Sequence, residues 1–359
     1  MKIYLARQFF RNEDIEFNYN KIIKIYDKAF DDDCDLIVFP EMTITGFPIY
    51  EELLNKDFIK KSDSYVEKIV DYTKGKKTRI LMGCPYLLNS YTTKDGVLKE
   101  SKLFNSSILI NDGYIDSITS KTLISKNNLF NEYKYFDKEI VLNSILSEND
   151  NFDVLIADDI MDTKNILYLK ERKTDFIICL DTEILENIEK KKIQLVKIAK
   201  WTKKNVIYLN SLSYDFKNNY MFFGDIFIIN KSGDIKYKDN LINENIVKFE
   251  TKIFEGDISF ENIKEKNVSI NFINILTENY KNKNFVYEIN KDENIDSIKK
   301  EKNLKLITFN KNKKSNEIEF IDVKKYLKNP ELFNIDFKFK KMLIENIFVD
   351  HFYIYQNLN

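Results

Sequence analysis

The segment Asp35-Leu-Ile-Val-Phe-Pro-Glu-Met-Thr-Ile-Thr-Gly-Phe-Pro48 carries the sharpest chemical signal in the chain. An apolar, strand-like run enters Pro40-Glu41 directly, and Gly46 and Pro48 mark a turn behind it. A carboxylate at a strand end can be held partly out of water, which raises its pKa and suits it to general-base work. Glu41 is therefore a candidate base, beside the plainer reading of an exposed carboxylate at a strand end. A second stretch, Lys121 to Phe136, places an amine at Lys121, an acid at Glu132, and aromatic rings at Phe130 and Phe136. Taken alone, Lys121 reads as a solvated side chain of a lysine-rich protein. A third run, Asp153-Val-Leu-Ile, ends in Ala157-Asp158-Asp159-Ile-Met161.

These segments resemble carbon–nitrogen hydrolases of the nitrilase type, in particular the glutaminase domain of glutamine-dependent NAD synthetases. Pro40-Glu41 with Gly46-Phe47-Pro48 matches the family's Pro-Glu-x-x-x-x-Gly-[Tyr/Phe]-Pro signature. Lys121, Phe130, Glu132 and Phe136 fall without a gap on its Lys, Phe, Glu and Phe; the family's Pro-Asn-Tyr is Ser125-Lys126-Asn127 here. The resemblance implies that Glu41 is the base, that Lys121 stabilises the oxyanion of a tetrahedral intermediate, and that Glu132 supports the pocket.

It also implies a nucleophilic cysteine at the head of Cys-Glu-Asp-[Ile/Leu]-Trp, and there the chain has Ala157. The separation from Lys121, 157 − 121 = 36 positions, is similar to that in compact family members. Asp181-Thr182-Glu183-Ile184 stands where the family has Asn-[Ala/Gly]-Ser-Pro, so Asp158, Asp181 and Glu183 are expected to line the pocket. Asn210 to Asp215 replaces Asn-x-x-Gly-Gly-x-Asp, and Phe222-Phe223-Gly224 replaces Phe-Asp-Gly. A methyl group forms no thioester, and losing the nucleophile of a catalytic unit costs on the order of 10⁶ in turnover. Of the other thiols, Cys179 lies within an apolar strand and reads as a small buried hydrophobe. Cys84 precedes Pro85 where the family has a small residue, and Cys34 precedes a strand.

Apolar runs at Ile3–Ala6, Leu36–Phe39, Arg79–Gly83, Asn105–Ile110, Val154–Ala157, Phe176–Leu180, Val206–Asn210 and Asp225–Ile229 predict buried strands. Helical spacing appears over Asn20–Phe30, Ser62–Thr73 and Leu185–Lys204. In the last of these, Ile188, Leu195, Ile198, Ala199 and Trp201 are expected on the buried face, with Lys190, Lys191 and Lys192 in solvent. The alternation argues an α/β class. The resemblance narrows it to a four-layer αββα sandwich of the nitrilase type, with a small α/β C-terminal appendage. A boundary near 255–265 divides the chain into residues 1–258, the glutaminase-type domain, and 259–359. The synthetase domain of the resembled enzymes carries Ser-Gly-Gly-x-Asp-Ser; Asp292 to Ser297 keeps only the final Asp-Ser, without the glycines that cradle pyrophosphate. The appendage is at most a vestige of that domain.

Composition narrows the partners. Lys+Arg 56 against Asp+Glu 57 leaves a net charge of −1, so no basic field holds nucleic acid or an anionic membrane. No run approaches the ~20 apolar residues of a membrane span, and the N-terminus lacks the apolar core of a secretory signal. Three widely spaced cysteines suit a reducing cytoplasm, and the one histidine, His351, cannot build a multi-histidine metal site. The expectation is a cytoplasmic homo-oligomer without metal or cofactor, a degenerate glutaminase that no longer hydrolyses amides. It would act as a structural or regulatory partner, for which an intact NAD synthetase is the expected counterpart. Two alternatives stay open: an active amidase using another nucleophile such as Cys179, and a non-catalytic module binding a small amide or carboxylate.

Overall fold

The computed structural model describes residues 1–92, 98–125, 130–139, 142, 144–146, 151–215, 220–239, 244–251, 261–262, 285–288, 304–308 and 318–320. Contacts divide the chain into two units, one of residues 1–215 with 222–265 and the other of 216–221 with 266–359.

The first unit is built on two sheets. One has seven strands in the order Glu261–Asn262, Asn245–Glu250, Lys2–Arg7, Leu36–Val38, Arg79–Leu88, Lys102–Asn111 and Tyr114–Ser120. The other has six, in the order Ile235–Asp239, Ile226–Ile229, Asn205–Asn210, Phe176–Asp181, Asn151–Ile156 and Ser144–Leu146. Period-two alternation assigns each side chain to a layer. Ile3 and Leu5 of the first sheet meet Val154, Ile178, Leu180 and Ile207 of the second in a shared inner core. The intervening Tyr4 and Ala6 face outward onto helices α1 (Ile15–Asp31) and α2 (Lys56–Tyr72). Ile177 and Cys179 face outward onto α3 (Thr163–Glu171) and α4 (Leu185–Thr202). Helix, sheet, sheet, helix is the αββα sandwich expected.

The central strands are parallel: Leu36–Val38 pairs with Lys2–Arg7 on one side and Arg79–Leu88 on the other, and Phe176–Asp181 pairs with Asn151–Ile156 and Asn205–Asn210. Parallel neighbours require crossovers, and α1, α2, α3 and α4 supply them. The carboxyl ends of the central strands therefore fall on one edge, where segments from 39, 157 and 181 emerge. Asp14 caps α1 and Asn55 caps α2 by accepting first-turn N–H bonds.

The strands Tyr114–Ser120, Ser144–Leu146, Ile235–Asp239 and Asn245–Glu250, and helix α3, are additions to the sequence reading. Tyr114 to Asp116 are exposed on a sheet edge, so that strand shows no apolar alternation. α4 brings a correction. Lys191 is 2% exposed, because a helical repeat places it on the same stripe as Ile188, Leu195 and Ile198. Trp201, expected inside, is 41% exposed and carries the Lys170 ammonium over its ring. Lys190 is exposed and Lys192 is half-buried.

In the second unit, Phe285–Glu288, Leu304–Thr308 and Ile318–Phe320 form a parallel three-stranded sheet. Asp292 to Ser297 and His351 lie outside the described residues. Among the described residues no helix is long and apolar enough to cross a membrane.

Candidate active site

Glu41 follows the strand Leu36–Val38 and is 3% exposed. Its position depends on Gly83 of the neighbouring strand: a Cβ there would stand 2.4 Å from Met42 N and 2.6 Å from Glu41 Cα. The glycine permits Thr43 N–H to reach the Gly83 carbonyl at 2.8 Å and Gly83 N–H the Pro40 carbonyl at 3.1 Å, which pins the turn. Gly46, at φ +67°, passes equally close to the Arg11 carbonyl.

Asn105 Nδ2 donates to Glu41 Oε1 at 2.7 Å and approaches Glu132 Oε1 at 3.4 Å. Glu132 in turn takes Lys121 Nζ on both oxygens, at 2.7 and 2.8 Å, and accepts Ser125 N–H at 2.8 Å. All four of Glu41, Asn105, Lys121 and Glu132 are buried. Burial pushes the Glu41 carboxyl up to about 8; Asp181 and Glu132 add to the rise, while Lys121 and Asn105 oppose it. Burial alone would pull the Lys121 ammonium down, but Glu132, Glu41 and Asp158 outweigh it, and the amine is held above its ordinary value.

The strand Asn151–Ile156 ends at Ala157, which opens a short 3-10 turn to Met161 and takes φ +47°. A left-handed conformation disfavours any residue with a Cβ, by roughly 1–2 kcal/mol. Such strain concentrates at functional sites. Asp159, absent from the sequence-derived set, locks the turn to the lysine loop. Its Oδ1 accepts Thr122 N–H at 2.9 Å, Leu123 N–H at 2.8 Å and the Thr122 hydroxyl at 2.9 Å, while Oδ2 accepts Ile156 N–H at 3.2 Å. Glu41, Lys121, Glu132 and Ala157 are thereby gathered at one edge of the sandwich. The signal for Asp159 was present, since it matches the Asp of Cys-Glu-Asp. Asn105 could have been found as an amide within an apolar strand.

Asp158, Asp181 and Glu183 converge on Lys191. Its Nζ lies 2.6 Å from Asp181 Oδ2, 3.0 Å from Glu183 Oε2 and 3.4 Å from Asp158 Oδ1. Tyr208 donates its hydroxyl to Asp181 at 3.0 Å, and Asn210 holds the Glu183 backbone by one bond in each direction. Burial raises the Asp158 carboxyl, yet Lys191 and Lys121 outweigh it and hold the group below its usual range. Asp181 stays above its usual range through burial, with Lys191 opposing and Glu183 adding.

Phe130 packs among rings, 4.7 Å from Phe47, 5.5 Å from Tyr50, stacked at 5.1 Å on Tyr135 and 6.5 Å from Phe136, measured between centroids. This aromatic group forms an apolar flank with Met42, Ile49 and Ile124. Lys126 and Asn127 lie outside the described residues. The thiols are remote from reactive chemistry: Cys34, Cys84 and Cys179 are all buried, and burial lifts each pKa, that of Cys34 to about 12. Among the described residues no cluster of His, Cys, Asp and Glu is suited to a metal ion.

A carbon-nitrogen hydrolase family model matches residues 3–188. The glutamine-dependent NAD(+) synthetase of Aquifex aeolicus is 28% identical over 138 residues, 38% of this chain and 22% of its own length. That of Acinetobacter baylyi is 23% identical over 250 residues, 68% and 43% respectively. The chain thus spans less than half the length of either. Among solved structures, a glutamine-dependent NAD+ synthetase from Acinetobacter baumannii in complex with ADP superposes with a TM-score of 0.64 at 20% identity, over 86% of this chain and 59% of that one. An amidase from Nesterenkonia sp. AN1 gives 0.57 at 13% identity, over 71% and 92%, as a double mutant with a glutamate changed to glutamine and a cysteine to alanine, in complex with acrylamide. By the match over more than half its length, this chain belongs to the carbon-nitrogen hydrolase family and is related to the glutamine-dependent NAD synthetases.

Proposed function

We propose that residues 1–258 are a glutaminase-type domain that has lost amide hydrolysis and retains its site for binding. The observation that carries this is Ala157 at the strand terminus: the turn, the acid and the amine of the site are assembled, and no sulfur stands there. The covalent route needs a thiolate to attack the amide carbon and hold the acyl group as a thioester, and a methyl group has no electron pair to offer. An amidase working through Cys179 is disfavoured, because that side chain faces the α3–α4 core with a pKa raised by burial. On this reading the domain is a cytoplasmic partner of an intact glutamine-dependent synthetase, structural or regulatory, and residues 259–359 are a vestige of the synthetase half. The acrylamide complex of the alanine-bearing Nesterenkonia variant supports retained binding, since a related fold holds a small amide without that thiol.

The test is ammonia release from glutamine and simple amides by the purified chain, with Ala157→Cys assayed in parallel. The unmodified chain is expected to stay at the buffer rate. Turnover by it at the speed of an ordinary amidase, about 1–10³ per second, would overturn the reading.

A further inference from the structure

Helices α3 and α4 turn Leu169, Ile188, Leu195 and Ile198 onto the second sheet, so their opposite stripes face away from the sandwich. On those stripes Leu167 is 51% exposed, Ile193 53% and Trp201 41%. The Lys170 ammonium stands 4.5 Å from the centre of the Trp201 ring, which joins the two stripes into one surface. Lysines surround the three apolar side chains: Lys164 and Lys170 on α3, and Lys190, Lys197 and Lys200 on α4, are all exposed. Among the described residues, the exposed positions of the two helices hold acids only at Glu171 and Glu189, and Glu189 pairs with Lys192 and Lys238. The net charge of −1 therefore conceals a segregation, because helical phase gathers lysines around an apolar centre on one face.

Exposed apolar side chains grouped within a polar rim mark a contact surface. A two-fold contact with a second copy would set this lysine-bearing patch against itself. A nucleic acid would match the lysines and leave Leu167 and Ile193 without apolar contact. An anionic lipid surface complements both parts, since its headgroups meet the ammoniums while the boundary of the acyl chains takes Leu, Ile and indole.

We propose that the outward face of α3 and α4 docks on an anionic membrane surface, with Leu167, Ile193 and Trp201 entering the headgroup boundary and the surrounding lysines held at the lipid charges. The contact is peripheral, with no helix crossing the bilayer, and it stands apart from the fate of amide hydrolysis at the candidate site.

Trp201 is the one tryptophan of the chain, so its emission reports this face alone. The test mixes the full chain with vesicles of phosphatidylcholine, or of phosphatidylcholine and phosphatidylserine in equal parts, at one low ionic strength, and reads tryptophan emission and cosedimentation. The mixed vesicles are expected to shift the emission to the blue and to bind about tenfold or more tightly than the neutral ones, and added potassium chloride is expected to release the chain. Lys197→Gln with Lys200→Gln should weaken that binding about tenfold, and Leu167→Ser should weaken it separately, each with the circular dichroism spectrum unchanged. No blue shift and no sedimentation with the mixed vesicles, equal binding to the neutral ones, or undiminished binding by the doubly substituted chain would each overturn the proposal. So would a blue shift that grows with protein concentration in the absence of lipid, together with a dimer in the analytical ultracentrifuge, which would assign the face to a second copy. An oligonucleotide that shifts the emission where the mixed vesicles do not would overturn it as well.

Discussion

A carboxyl group sealed from water keeps its proton well into the neutral range when burial and neighbouring acids outweigh a nearby ammonium, and Glu41, with Lys121 and Asn105 opposing the rise, is such a group. In the unfolded chain it ionises near 4.5; in the folded one its pKa stands at about 8. Between those values the native state holds a proton that the unfolded state has released, so stability falls as pH rises through this window and levels off above it. Glu41→Gln removes the slope. The difference in urea-derived stability, variant minus parent, is expected to grow by about 3 kcal/mol between pH 5 and pH 7.5. Asp159 and Asp225, both raised to about 6, titrate with the same sign in parent and variant and cancel in the difference. A difference that is flat with pH would mean that Glu41 is ionised throughout, with a charge compensation that its neighbours do not reveal.

At the scale of elements, α4 does more than cover a sheet. Its apolar stripe packs Ile188, Leu195 and Ile198 against the outward residues of the second sheet, and Lys191 threads from that stripe to the strand ends. Removing the ammonium strands three carboxylates, and breaking a buried pair from one side costs about 3–5 kcal/mol. Lys191→Met should therefore lose stability on that order by urea denaturation, while Lys190→Met, one position away in solvent, should change it by less than about 0.5 kcal/mol. Equal effects at the two positions would sink the assignment. The contrast also shows what sequence could convey. Apolar runs identified most central strands, because burial is written in residue type, and the four positions that meet at the site came from the resemblance to carbon–nitrogen hydrolases, through the Pro-Glu turn and the register from Lys121 to Ala157. Lys191 was hidden, because in a chain with so many lysines a buried one differs from its neighbours only by its phase on the helix and by carboxylates brought from positions 158, 181 and 183. The left-handed turn at Ala157 was equally silent, being a property of the assembled edge.

At the scale of the whole first unit, the inner core ties the two sheets into one cooperative body. Ile3, Leu5, Leu36, Val38 and Leu81 from one sheet pack with Phe152, Val154, Ile178, Leu180 and Leu209 from the other, so neither sheet can open without exposing the partner's buried face. The three cysteines report on the two outer layers: Cys34 and Cys84 lie between the first sheet and its helices, and Cys179 lies between the second sheet and α3 and α4. Labelling requires a thiolate that a reagent can reach, and burial denies both. If the shared core makes the unit open as one, native-state labelling with a thiol-directed disulfide reagent is expected to be slow for all three and to follow one common rate. The three rates should then rise together as urea lowers the stability of the fold. Mass spectrometry of partly labelled protein separates the sites. Cys179 labelled well ahead of Cys34 and Cys84 would show that the second sheet and its helices open independently, and would restore that thiol as a candidate nucleophile.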